Sequence, residues 1–332
     1  MNRFIWQFFL ITWLGWQPNV HAQDPPITSL AFTPDQRLLV GSQNGLRLVD
    51  WPSLTTIQRL ETSLVEIDRI AFSPDSQSFV VAGGIPAEVG QWEVWSWPKL
   101  ERRRLASRHD DVVSDFDLDS DGELITASLD GDIRINAQTP VVLRGHSKSV
   151  LALRTLPGTS VAISAGRDQS VRVWDLESGS LVRSLNQHTG EVRSIAVRPN
   201  GQHASAGPPM IATAGTDRTV RFWQPTIGRM VRFIRLPSSP LDLIWTEDGT
   251  SVIAVCEDGH VRMVNATTLA VEAEALVASE WLYSVAIAPT NINSDNPGQN
   301  MDEEEVTNAT VELAVGTESG KIKRMTLQRA DR

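Results

Sequence analysis

Short apolar stretches separated by turn residues recur along the chain at a nearly constant spacing. Stretches such as ITSLAFTPDQ, IDRIAFSPDS and VRSIAVRPNG begin at positions 27, 67, 113, 150, 192, 241 and 282, so successive starts are 37 to 49 residues apart. Self-similarity at a period of this length is the signature of a repeat architecture. The pattern therefore predicts seven repeating units.

Each unit continues with the same order of strand and turn signals. After a turn rich in Pro, Asp, Asn and Gly comes an apolar stretch such as LLVGS or VAISA, then a tight turn and an alternating stretch such as VRVWD or VRFWQ. Alternation with period two is typical of half-buried strands. A fourth stretch such as TIQRL or LVRSL closes most units, and no segment has sustained helical periodicity. We expect an all-β chain of seven units with about four antiparallel strands each.

One unit contains a run that also fits the opening of a calcium loop. Asp117, Asp119, Asp121 and Gly122 read D-x-D-x-D-G, but the twelfth position, which needs a bidentate carboxylate, is Ser128. The ligand set is incomplete, and similar turns recur in the other units. We therefore interpret the run as an Asp-Gly hairpin turn and expect no tight calcium site.

Two units closely resemble WD repeats. GHSKSVLALRTLPGTSVAISAGRDQSVRVWDLESG occupies residues 145–179, and a second such unit runs over residues 188–223. In that family each repeat forms one blade of a β-propeller, and a hydrogen-bonded His–Ser/Thr–Asp–Trp tetrad stabilises the blade. The resemblance implies two tetrads, consisting of His146, Ser164, Asp168 and Trp174 in one blade and of His188, Thr213, Asp217 and Trp223 in the next.

The resemblance is uneven along the chain. In the third unit His109, Thr126 and Asp130 keep the tetrad spacing, but Asn136 stands where the family has Trp. Units 1, 2, 6 and 7 lack the His and most of the tetrad, so their match rests on strand pattern and spacing. The resemblance implies a single seven-bladed β-propeller of four-stranded antiparallel blades over residues 23–332, with blades starting near 27, 67, 113, 150, 192, 241 and 282.

The last blade should differ from the others. Its third strand, GKIKRMTL, ends near residue 327, and Pro25 and Pro26 disfavour a strand just before the first blade. We expect three strands and an open outer edge, on which Lys321, Lys323 and Arg324 resist self-pairing. The acidic insertion at 291–306 is an alternative cover for that edge.

The first 22 residues have the pattern of a cleaved secretory signal peptide. Arg3 precedes an apolar run from Phe4 to Trp16, and Val20-His21-Ala22 resembles a small-x-small cleavage site. The apolar run is too short to span a bilayer. The segment predicts a secreted or periplasmic location with no membrane span.

Composition narrows the possible functions. A net charge of -10 argues against general nucleic-acid binding, which requires a basic surface for phosphates. The single cysteine, Cys256, allows no internal disulfide and lies in an apolar strand pattern. The chain has no C-x-x-C-H, no histidine cluster and no G-x-S-x-G, so we expect no cofactor, no metal and no enzymatic activity.

The remaining chemistry is expected where the first strands line the central channel. Taking the residue after each repeat start places Asp68, Arg193 and Asp242 at the channel mouth. An acid/base or small-ligand site built from these three residues is the alternative function, in an exported enzyme or in a propeller that binds a ligand or cation.

The favoured function is an exported, non-catalytic scaffold that binds protein partners through propeller-face loops and is a monomer by itself. Arg and aromatic residues are favoured in interface hot spots. The candidate partner-binding residues are Lys148, Arg167, Arg218, Trp281 and Tyr283.

Overall fold

A computed structural model of the chain describes residues 24–119, 122–137, 139–199, 208–289 and 310–329. These ranges form 27 strands in seven antiparallel sheets, and they contain no helix. The first strand of each sheet lies beside the first strand of the next, and that of the seventh lies beside that of the first. The predicted seven-bladed β-propeller is confirmed.

Within each sheet the strands follow one another in chain order from the channel to the rim. Blades 1 and 2 consist of β1 (Ile27–Phe32), β2 (Leu38–Ser42), β3 (Gly45–Val49), β4 (Thr56–Leu60), β5 (Glu66–Phe72), β6 (Ser78–Ile85), β7 (Val89–Ser96) and β8 (Arg102–His109). Blades 3 and 4 consist of β9 (Val113–Leu118), β10 (Leu124–Ser128), β11 (Ile133–Ile135), β12 (Val141–Leu143), β13 (Val150–Thr155), β14 (Val161–Gly166), β15 (Val171–Asp175) and β16 (Ser180–Leu185). Blades 5 to 7 consist of β17 (Val192–Val197), β18 (Ile211–Gly215), β19 (Thr219–Gln224), β20 (Arg229–Arg235), β21 (Pro240–Trp245), β22 (Ser251–Cys256), β23 (His260–Asn265), β24 (Val271–Leu276), β25 (Leu282–Ile287), β26 (Thr310–Thr317) and β27 (Ile322–Gln328).

The hydrophobic core lies in layers between neighbouring blades. Phe222 of blade 5 packs edge-on against Trp245 of blade 6 with ring centroids 5.8 Å apart. The same layer contains Cys256, which is fully buried, and burial raises the pKa of its thiol to about 11. This cysteine therefore packs as a small apolar residue and is not activated as a nucleophile.

Hydrogen bonds between the innermost strands connect the blades around the channel. All seven first strands carry a β-bulge at the same place, and wherever the residue just after the bulge is polar, its side chain reaches the neighbouring blade. Ser29 Oγ accepts from the Ile70 amide at 2.9 Å, and Asp115 Oδ2 accepts from the Leu153 amide at 2.9 Å. These bonds satisfy backbone donors that face the channel, so the ring is held by polar contacts as well as by packing.

The ring closes between blade 7 and blade 1 through the same kind of contact. Ser284 Oγ donates to the Ile27 carbonyl at 2.8 Å, and Ile27 packs in one apolar cluster with Ala286 and Ala314. Blade 7 has three strands, in the order β25-β26-β27, as predicted. The insertion at 291–306, the alternative cover for its edge, lies outside the described residues.

Within the described ranges, no helix is long and apolar enough to cross a membrane. Residues 1–22 lie outside these ranges, and the boundary at residue 23 stays a prediction.

Candidate functional site

The predicted tetrad residues of blade 4 lie together as one chain of hydrogen bonds. His146 Nδ1 donates to Asp168 Oδ2 at 2.9 Å, Ser164 Oγ lies 2.7 Å from His146 Nε2, and Trp174 Nε1 donates to Ser164 Oγ at 2.8 Å. Burial alone would raise the pKa of Asp168, but hydrogen bonds from His146 and other donors outweigh it and hold the pKa below its usual range. These hydrogen bonds join the outer part of the blade to the loop that enters its first strand.

Blade 5 repeats this arrangement with a threonine. His188 Nδ1 donates to Asp217 at 2.9 Å, and Thr213 Oγ1 lies 2.8 Å from His188 Nε2 and 2.9 Å from Trp223 Nε1. Burial lowers the pKa of His188, so the ring is neutral at neutral pH. A neutral ring that donates from Nδ1 must accept at Nε2, which fixes the direction of every hydrogen bond in the tetrad.

Blade 3 keeps three of the four tetrad residues. His109 lies 2.9 Å from Asp130 and 2.8 Å from Thr126 Oγ1. Asn136 Nδ2 donates to Thr126 Oγ1 at 3.0 Å, in the place of the tryptophan N–H. The amide thus replaces the hydrogen bond of the indole but not its ring.

Blade 2 is stabilised by a buried carboxylate that the sequence reasoning missed. Glu93 lies on β7 and is fully buried. Its oxygens accept from Thr62 Oγ1 at 2.9 Å, from the Ser63 amide and hydroxyl at 2.9 and 2.7 Å, from Trp95 Nε1 at 3.0 Å and from Arg102 Nη1 at 2.8 Å. Burial opposes its ionisation, but these donors outweigh burial and lower its pKa. The carboxylate joins the third strand to the loop that enters the blade, as the histidine does in blades 3 to 5.

The loops on the tetrad side of the ring carry the predicted partner-binding residues. We call this side the top face; it contains the loops that join consecutive blades and the loops between second and third strands. Lys148, Arg167 and Arg218 are exposed there, each within two residues of a tetrad His or Asp. Lys148 and Arg167 line one hollow of about 400 Å³ between blades 3 and 4, and Arg218 lies on the corresponding loop of blade 5.

The two predicted aromatic residues form a separate group on blade 7. Trp281 and Tyr283 pack against each other with ring centroids 6.1 Å apart, and 39% of Trp281 is exposed. Burial and the nearby Glu318 raise the pKa of Tyr283. The structure thus places Lys148 near Arg167 and Trp281 against Tyr283. The role of these residues in partner binding stays a prediction.

The predicted channel-mouth site does not assemble. Asp68 and Arg193 occupy the bulged position of their strands, but in blade 6 that position belongs to Leu241, because Pro240 is the first residue of the strand. Asp242 therefore lies one layer deeper, where it accepts from Ser194 Oγ at 2.9 Å. The predicted grouping of Asp68, Arg193 and Asp242 is wrong, because counting from the apolar start misplaced blade 6 by one residue.

A different charged group lies in the channel. Asp115 accepts from Arg154 Nη1 at 2.6 Å and lies 3.4 Å from Arg69 Nε, so one carboxylate holds two arginines. Both arginines line a cavity of about 940 Å³ that opens on the bottom face, opposite the top face. Its other walls are apolar side chains and four acidic residues, Asp117, Asp119, Asp242 and Glu247. Arg69 Nε is buried and has no hydrogen-bond partner among the described residues.

The Asp-rich hairpin uses its carboxylates within the fold. Asp117 Oδ2 accepts from the Thr155 amide at 2.8 Å, and Asp119 Oδ1 accepts from the Glu123 amide at 2.8 Å. Asp121 lies outside the described residues. In the part of the chain that the structure describes, no group of three or more His, Cys, Asp or Glu could hold a metal ion.

Comparison with known proteins agrees with this geometry. The family profile described as WD domain, G-beta repeat matches residues 17–50, 102–135, 138–175 and 179–224, which include the tetrads of blades 4 and 5. The chain is a WD-repeat protein. This WD-repeat protein has complete tetrads in blades 4 and 5 and a modified tetrad in blade 3. In blade 2 the buried carboxylate of Glu93 takes the place of a tetrad.

Its similarity to curated proteins is partial. It is 30% identical to nuclear distribution protein PAC1 of Arthroderma otae over 46% of this chain and 35% of the relative. It is 28% identical to nuclear distribution protein nudF 1 of Talaromyces marneffei over 43% of this chain and 32% of the relative. It is 27% identical to nuclear distribution protein nudF of Aspergillus niger over 48% of this chain and 37% of the relative. The chain spans about a third of the length of these relatives.

These relatives correct the predicted location. They are named for the distribution of nuclei, which takes place inside the cell, so the predicted secreted or periplasmic location is wrong. The comparisons also give no support to a signal peptide in residues 1–22. The apolar pattern of that segment misled the prediction, because charge, apolar core and small residues in that order are not unique to exported chains.

Proposed function

We propose that this WD-repeat chain is a non-catalytic platform that binds an acidic segment of a protein partner on its top face. One observation supports this most directly. Lys148, Arg167 and Arg218 are exposed on the top face, and none of the three has an ion-pair partner among the described residues. Cations that are already paired would gain little from a partner, whereas free ones attract an acidic segment and speed its association.

The loops that carry these cations are held in place before a partner binds. Asp168 accepts from the Ser147 amide at 3.1 Å, and Asp217 accepts from the Thr189 amide at 3.1 Å, so each tetrad also fixes top-face backbone. A rigid loop loses less conformational entropy on binding than a mobile one. The packed pair Trp281 and Tyr283 would add an aromatic contact on the same face.

Charge reversal tests this proposal. The variant with Lys148→Glu, Arg167→Glu and Arg218→Glu should lose, by at least about tenfold, the proteins that the wild-type chain captures from a cell extract. Arg59→Glu is the control, because Arg59 is exposed on the outer strand of blade 1. The matched relatives direct the search for partners to proteins that act in nuclear distribution. Equal capture by all three forms would show that the top-face cations do not bind the partner.

A further inference from the structure

Asn136 replaces one role of the tetrad tryptophan and leaves the other unfilled. Its Nδ2 donates to Thr126 Oγ1 at 3.0 Å, as the indole N–H of Trp174 does to Ser164 at 2.8 Å. In blades 4 and 5, however, the tryptophan ring also packs against the preceding blade. Trp223, for example, lies in one apolar cluster with Val171 and Val173 of blade 4.

In blade 3 the space beside the preceding blade is open. A groove of about 460 Å³ runs between blades 2 and 3, and its apolar surface comes from side chains of both blades. These apolar side chains are Val80, Trp92, Val94, Leu118 and Leu124. The groove extends toward the loops of the bottom face, so it is separate from the top-face cations.

Two polar atoms on this groove are buried without a hydrogen bond. They are Asn136 Oδ1, an acceptor, and Arg108 Nη1, a donor, and neither has a partner among the described residues. The orientation of the Asn136 amide is fixed, because its Nδ2 donates to the carbonyls of Leu124 at 3.1 Å and Arg134 at 3.2 Å as well as to Thr126. A buried polar atom without a partner is unfavourable, so a ligand that supplies one donor and one acceptor here gains affinity.

We propose that this groove, defined by Asn136, Arg108 and the apolar side chains between them, binds a tryptophan side chain of a partner protein. The indole ring would occupy the space that the missing tetrad tryptophan leaves, and its N–H would donate to Asn136 Oδ1. The backbone carbonyl of the same partner residue would accept from Arg108. Arg104 and Arg108 outnumber Glu123 along the groove, so acidic residues beside the tryptophan are favoured. This second site does not depend on the proposed function of the top face.

The test uses fluorine NMR of two small probes with the full chain. The probes are fluoroindole and the N-acetyl amide of fluorotryptophan, of which only the second carries backbone carbonyls. We expect saturable binding of both, with the amide about tenfold tighter because it pairs with Arg108. Asn136→Trp should fill the groove, raise the thermal midpoint and abolish binding of both probes.

Two further variants separate the groove from a general effect. Arg108→Met should weaken the amide by about tenfold and leave fluoroindole unchanged. Arg183→Met is the control, because Arg183 also lies on the fourth strand of its blade and has a buried nitrogen without a hydrogen bond among the described residues, but the space between its blade and the next is already filled by Trp223. This control should bind both probes as the wild type does.

Three outcomes would overturn the proposal. Neither probe binds; Asn136→Trp folds and still binds them; or fluoroindole binds as tightly as the amide, which would assign the groove to a free heterocycle instead of a protein side chain. Because the probes are independent of the top-face partner, failure here leaves the proposed function intact.

Discussion

The buried carboxylate of blade 2 allows a sharp test of how this propeller is stabilised. The substitution Glu93→Gln keeps the size and shape of the side chain but replaces one oxygen by an NH₂ group. Every hydrogen bond that Glu93 makes comes from a donor, and three of these donors, the Ser63 amide, Trp95 Nε1 and Arg102 Nη1, can never accept. The new NH₂ group must therefore face at least one donor, whichever way the amide is turned.

The expected loss can be worked out from these contacts. With the NH₂ group on the Trp95 side, the Thr62 hydroxyl can rotate and accept, but Trp95 Nε1 loses its partner. One unpaired buried donor costs about 1–3 kcal/mol, and weaker bonds from Ser63 and Arg102 to a neutral oxygen add about 1 kcal/mol. We expect Glu93→Gln to lower the free energy of unfolding by about 2–4 kcal/mol. Arg102 is 41% exposed, so Arg102→Met should cost at most about 1 kcal/mol.

Urea denaturation followed by both tryptophan fluorescence and far-UV circular dichroism measures both losses. Coincidence of the two probes checks that the blades unfold together, which the two-state calculation requires. The decisive comparison is between the two losses in the free energy of unfolding, and the loss should be larger for Glu93→Gln than for Arg102→Met. If Arg102→Met destabilises the chain as much as Glu93→Gln does, the carboxylate acts only as the partner of a surface arginine and the reasoning fails.

Three further predictions concern other buried charges. Asp217→Ala should lower the free energy of unfolding by about 1–3 kcal/mol in a urea titration. Asp258 has a side chain that is 31% exposed and no tetrad histidine, so Asp258→Ala should lower it by less. Asp68→Asn should stabilise the chain at pH 8 but not below about pH 4 in the same assay. Burial and neighbouring acids raise the pKa of Asp68 in the folded chain. The buried charge therefore destabilises the fold only above the pKa that Asp68 has in the unfolded chain. Stability should fall as the pH drops below about 6.5, because burial lowers the pKa of His188 and the unfolded chain binds a proton at this residue that the folded chain does not. A urea midpoint that stays constant between pH 8 and pH 5 would contradict this.

The sequence predicted the ring well because each blade repeats one local pattern. Strand alternation and the spacing between His, hydroxyl, Asp and Trp are properties of residues close in sequence or at a fixed repeat distance. The complete contacts of His146 and His188 follow that spacing. The three-stranded last blade was also predicted, and its sheet has the order β25-β26-β27.

Two features escaped prediction for physical reasons. The position of Asp242 was misjudged because its strand begins at Pro240, one residue before the apolar stretch from which the position was counted. Glu93 was missed because four of its five donors lie outside its own strand neighbourhood, in the preceding loop and on β8. Its one sequence signal is a charged residue in the middle of the otherwise apolar QWEVW.

Blade 3 shows that the tetrad tryptophan has two separable roles. One role is to donate a hydrogen bond to the buried hydroxyl, and the other is to fill the space beside the preceding blade. Thr126 is fully buried, so losing its donor would leave a polar group without water, and Asn136 prevents this. Losing the ring only removes apolar contacts, which a blade with intact hydrogen bonds on all its strands can tolerate. A WD-repeat blade can therefore open a lateral groove without giving up the hydrogen bonds that hold its strands.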